Sequence, residues 1–92
     1  MNIIEMIKNG NCDEADLLEY ITDNDIEIAI AAAESELATE PILDVAAHDR
    51  DERVREAALN NPNIGNKTLR FLLNDQNENI ASKAKNILEG RK

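Results

Sequence analysis

Tryptophan is absent from this 92-residue chain, and Tyr20 and Phe71 are its only aromatic residues. The core must therefore come from Ile, Leu, Val and Ala, which favours close-packed helices over an aromatic-lined ligand pocket. Cys12 is the only cysteine, so no disulfide can close within the chain. Three glycines are too few and too scattered for a phosphate-cradling loop. The longest apolar run, Ile28 to Ala33, is far short of the roughly 18 residues that a spanning helix requires. Met1 to Lys8 carries no basic stretch ahead of a long apolar one, so no secretory signal is read there and a soluble cytoplasmic protein is expected. Positive charge is scarce too. Ten Lys and Arg stand against 19 Asp and Glu, for a net charge of −9. That balance argues against phosphate backbones or anionic membranes as partners, because Lys and Arg supply most of that attraction. Yet 42% of the residues are hydrophobic, too many for a disordered acidic tail, and the length suits one domain.

The chain repeats itself. Leu17, Leu43 and Leu69 are evenly spaced by 26 residues, and so are Asp23, Asp49 and Asp75. Ile28, Val54 and Ile80 keep the same interval, as do Ala32, Ala58 and Ala84. No gap is needed. Residues 13–38, 39–64 and 65–90 read as full units and residues 1–12 as a capping half unit, together one domain spanning 1–92. Strand signals are missing, since no alternating apolar run survives.

Each unit reads as a helical hairpin. Asp13 is an N-cap for a helix over 14–22, where Leu17, Leu18 and Ile21 recur at helical spacing. Asn24 and Asp25 break and recap the chain ahead of a second helix over 26–37. Thr39 caps a helix with Pro41 in its first turn, where a missing N–H costs nothing, running to about 48. Asp51 then caps 52–60, and Pro62 forbids extension. The third unit opens at Asn66, runs 67–74, recaps at Asn77 and continues to about 89, with Gly90 suited to a left-handed C′ position. Helices this short cannot bury an apolar face alone, so stacked neighbours must share one seam. Alanines at 32, 58 and 84 let successive second helices approach closely, and the polar last helix, with Lys83 and Lys85, can close the stack.

The run from Asp49 to Ile64 has the form D-x-D-x-x-V-R-x-A-A-x-N-x-P. It resembles the leucine-rich repeat variant family, a relative of HEAT-like α-solenoids, sharply over this unit and loosely over roughly 13–89. The resemblance implies an all-α, right-handed superhelix of about three hairpins, often with one α-helix and one short 3₁₀ helix per unit, used for binding more than for catalysis. Some family members hold an iron–sulfur cluster near the N-terminus. One cysteine cannot supply the roughly four thiolates a cubane cluster takes, so no cofactor is expected.

Chemistry-bearing groups are sparse. His48 falls at a helix C-terminus, where the macrodipole favours a ring able to carry positive charge, and no nucleophile stands at a motif spacing from it. Cys12 sits in a turn beside acidic residues that raise a thiol pKa rather than activate it. Asp23 to Glu27 opens like a calcium loop but has Ile28 where such a loop needs Gly; its alignment with Asp49 and Asp75 makes Asp23 a turn former instead. No catalytic or metal site is expected. Arg50, Arg53, Arg55, Arg70, Lys83 and Lys85 could ridge the surface, but Asp51, Glu52 and Glu56 lie among them, so ion pairs within helices and between repeats are expected instead, and stacking aromatics for nucleic acid are nearly absent.

Charge is unevenly placed. Residues 1–44 hold 12 acidic side chains and one basic, Lys8, a net of −11, whereas residues 45–92 carry +2. The expected function is a non-catalytic protein-interaction module whose second helices, 26–37, 51–60 and 77–89, line one face. Glu27, Glu34, Arg53, Glu56 and Lys83 are its candidate contact residues, and a basic surface is the complement of the N-terminal half. The alternative reading is an acidic inhibitor or immunity-type protein that neutralises a basic partner.

Overall fold

The computed structural model describes residues 2–91; Met1 and Lys92, which the 1–92 domain includes, lie outside the described residues. These residues form α1 (Ile3–Lys8), α2 (Glu14–Tyr20), α3 (Ile26–Glu34), α4 (Glu40–Ala47), α5 (Glu52–Asn60), α6 (Asn66–Leu72) and α7 (Glu78–Gly90), with no strand and no 3₁₀ helix among them. Helices α2, α4 and α6 begin at 14, 40 and 66, and α3, α5 and α7 at 26, 52 and 78, so the sequence interval reappears in the backbone. α2 packs on α3, α4 on α5, and α6 on α7. Contacts also run α1 to α3 to α5 to α7, and α4 to α6, giving an elongated molecule of 39 × 24 × 16 Å.

Side-chain oxygens start most of these helices. Asp13 and Asp16 form a reciprocal capping box at α2, each accepting the other's backbone N–H. Asp25, Asp51 and Asn77 accept first-turn amides of α3, α5 and α7. Two residues earlier, Asp23, Asp49 and Asp75 each accept the N–H of that cap residue, at 2.8–2.9 Å. The acidic column is thus a set of Asx turns that orient the caps, the role read for it from the sequence.

Several boundaries differ from expectation, each for a local reason. α3 stops at Glu34 rather than 37: Ser35 turns extended at ψ 137°, and its hydroxyl accepts the Leu37 N–H in place of a helical bond. α2 stops at Tyr20, with Thr22 donating its hydroxyl back to the Glu19 carbonyl. Thr39 occupies the N-cap of α4, but its hydroxyl donates to Glu14 Oε1 at 3.0 Å and caps nothing. Gly65, not Asn66, is the N-cap of α6, and its N–H is taken by the Glu40 carboxylate. Gly90 stays helical inside α7; the positive φ belongs to Gly10 (73°) in the turn after α1.

One apolar core runs from Ile7 to Ala84. Leu17, Leu43 and Leu69 are fully buried, as are Ala32, Ala58 and Ala84, with Val54 and Ile80 beside them. Each buried leucine removes enough apolar area from water to contribute about 1.5–3 kcal/mol. Polar ties cross between hairpins as well. The first residue of a hairpin's leading helix accepts from a residue 25 positions on: Glu14 from Thr39, Glu40 from Gly65, Asn66 from Arg91. Asn61, almost fully buried, donates to the Ala33 and Ser35 carbonyls at 2.8 Å, which fall at the frayed end of α3.

Candidate interaction surface

α3, α5 and α7 pack in succession, α3 on α5 and α5 on α7. Glu27 and Glu34 of α3, Arg53 and Glu56 of α5, and Lys83 of α7 are all exposed. Arg53 Nη2 pairs with Asp51 at 2.8 Å, and the negative charge of Glu27 adds to what raises its guanidinium. Lys83 Nζ donates to Asn60 Oδ1 at 3.0 Å across α7 and α5. Glu34 lies apart from them, in a cleft with Lys8, Gly10, Ala31 and Leu37. Glu56 projects from the middle of α5 and forms no ion pair among the described residues.

Two ion pairs form among the described residues, Arg53–Asp51 and Arg55–Asp75. With 19 acidic side chains in the chain, most carboxylates face water rather than a cation. The Arg53 bonds hold the Asp51 carboxyl well below its ordinary value of 3.8, to about 2, and raise the Arg53 guanidinium in turn. Around Tyr20 the balance is opposite: burial first, then Asp16 and Glu19, push the phenol up. Burial followed by Asp16 and Asp13 likewise raises the Cys12 thiol, away from the reactive thiolate.

A second open groove follows the turns that join the paired helices. His48, Arg50, Phe71 and Gln76 line it together with the Asx-turn residues Asp49 and Asp75. His48 closes α4, where Nδ1 lies 2.8 Å from the Asp44 carbonyl, and its ring stacks on Phe71 with centroids 3.9 Å apart and planes 17° off parallel. The Nδ1–H tautomer suits that contact and leaves Nε2 as an acceptor. Under the groove, Arg55 Nε and Nη2 clasp both Asp75 oxygens at 2.8 and 3.2 Å, while Nη1 donates to the Asp49 and Arg50 carbonyls. The Arg of the Val54-Arg55 pair therefore points along the chain to the next hairpin, not to Glu52 or Glu56 beside it.

Sequence reasoning passed over the Arg55–Asp75 clasp and the His48–Phe71 stack, whose partners lie 20 and 23 residues apart. The clasp had a signal: Asp75 belongs to the 26-residue acidic column, and Arg55 is the one basic residue in its own column. The stack had none beyond the apolar match of Phe71 with Val45. Among the described residues, no three His, Cys, Asp or Glu side chains converge as a metal ion would need. No helix there is long and apolar enough to cross a membrane. Comparison with protein-family models, with curated proteins and with solved structures finds no match.

Proposed function

We propose that the chain is a short right-handed α-solenoid, three 26-residue helical hairpins behind an N-terminal half unit, which serves as a non-catalytic protein-interaction module in the cytoplasm. The 26-residue interval of the helix starts supports the stack, together with the buried Leu and Ala columns and the resemblance to the leucine-rich repeat variant family. The observation that carries the binding role is the packing of α3, α5 and α7 in succession, with Glu27, Glu34, Arg53, Glu56 and Lys83 exposed on them. Exposed charges on a row of packed helices suit another protein's surface, not a small molecule.

The partner's face is basic opposite α3, where Glu27 and Glu34 are exposed and neither forms an ion pair among the described residues. Affinity capture with the parent chain and with a Glu34→Lys/Glu56→Lys variant, both at low salt, tests the reading. A partner retained by the parent and lost by the variant supports it; no reproducible partner, or one that the variant retains, contradicts it.

A second reading rests on the partition of charge, −11 over residues 1–44 against +2 over 45–92. As an acidic inhibitor or immunity-type protein, the chain would neutralise a basic macromolecule through α1–α3. Its binding would then fall steeply with salt and map to the first half. A shallow salt dependence with contacts confined to residues 45–92 would exclude this reading.

A further inference from the structure

Asn9 is the one asparagine in the chain that is followed by glycine. It closes α1, and both Asn9 and Gly10 are exposed. Every other asparagine precedes a residue whose side chain crowds the next backbone nitrogen, and Asn61 precedes Pro62, which has no N–H. Gly10 stands at φ 73°, and a Cβ placed on it would meet only the Leu37 side chain, at 3.8 Å.

Two backbone hydrogen bonds hold this junction. The Gly10 N–H donates to the Ile7 carbonyl at 3.1 Å and the Asn11 N–H to the Met6 carbonyl at 2.8 Å. They close off a helix of only six residues, and helix ends of this kind open at the least cost in a fold. Once they part, ψ of Asn9 is released from its value of 0°, and the Gly10 nitrogen can turn onto the Asn9 side chain.

We infer that Asn9–Gly10 is a site of spontaneous deamidation. The Gly10 backbone nitrogen gives up its proton and bonds to Asn9 Cγ, while the Cγ–Nδ2 bond breaks and ammonia leaves. The five-membered imide then takes up one water, the only co-reactant. Opening at one carbonyl leaves aspartate. Opening at the other leaves isoaspartate, in which the main chain runs through Cγ and is one methylene longer.

Either product adds a carboxylate to a cleft already shared by Lys8, Glu34 and Glu36, at the carbonyl end of α1, where negative charge is disfavoured. Isoaspartate also lengthens the chain two residues after Ile7, the buried residue of a helix held on α3. Conversion therefore loosens α1 from α3.

Incubation of the full chain at physiological temperature and mildly alkaline pH tests this, with peptide mapping by mass spectrometry and enzymatic methylation of isoaspartate as readouts. Isoaspartate should form at residue 9 roughly tenfold or more faster than at any other asparagine. Its rate in the folded chain should lie within about tenfold of the rate in urea, because only the end of α1 has to open. Asn9→Gln, which closes no five-membered ring, should stay unmodified at that position. Hydrogen exchange over 3–9 should be faster in the aged parent than in the fresh one, and unchanged by ageing in Asn9→Gln. Exchange in α5 should be the same in all of them, which marks the loosening as local. A residue 9 that converts in urea but not in the folded chain, equal conversion at another asparagine, or an α1 loosened as much in aged Asn9→Gln overturns the inference.

Discussion

Arg55 and Asp75 sit where burial raises the stakes of a charge. Their side chains are only 15% and 5% exposed, and the guanidinium also holds two carbonyls of the preceding turn. Truncating Arg55 strands a carboxylate that keeps only the Asn77 N–H as partner. Arg55→Ala should therefore cost about 3 kcal/mol or more in urea denaturation. Adding Asp75→Asn should recover part of that loss, since Asn removes the stranded charge and still accepts the Asn77 amide. Asp51 presents the exposed counterpart. Its folded pKa of about 2 lies below the ordinary 3.8, so its contribution is complete above pH 4 and fades as pH falls toward 2. Asp51→Asn keeps the N-cap and removes the titration. Melting curves should therefore show the parent losing more stability than the variant over that interval, and less so in high salt.

Helix starts and helix ends were not equally legible. Starts depend on side-chain oxygens a few residues away, and Asp13, Asp25, Asp51 and Asn77 announce them in the sequence. The range read for α5, 52–60, matches the structure, because a cap and a proline bracket it. Ends depend on what distant residues do with the last carbonyls. α3 breaks at Ser35 while Asn61, 26 residues away, takes the Ser35 and Ala33 carbonyls, and nothing near Leu37 signals that. Asn61→Ala should accordingly loosen two hairpins at once, costing about 1–3 kcal/mol. Hydrogen exchange should speed up at the C-terminal turn of α3 as well as around residue 61. Faster exchange confined to 61–64 would mean that the bond does not hold α3. The exposed charges at Glu27, Glu34, Arg53, Glu56 and Lys83 were legible from helical spacing alone; the Arg55 clasp and the His48–Phe71 stack were not, because each joins different hairpins.

At the scale of the molecule, scarcity of aromatic side chains becomes a seam of leucine and alanine columns, and the surface carries charge that changes sign along the chain. Both follow if equivalent positions in successive hairpins do equivalent work. Urea denaturation of Leu17→Ala, Leu43→Ala and Leu69→Ala, with Leu18→Ala alongside, tests that claim most directly. Leu17, Leu43 and Leu69 are fully buried and Leu18 is exposed. Each column variant should lose about 2–5 kcal/mol, a large share of a small domain's total, while Leu18→Ala stays within about 0.5 kcal/mol of the parent. A column leucine whose loss leaves the midpoint unchanged, or a Leu18 variant that unfolds as readily as the other three, would contradict the repeated packing on which the whole account stands.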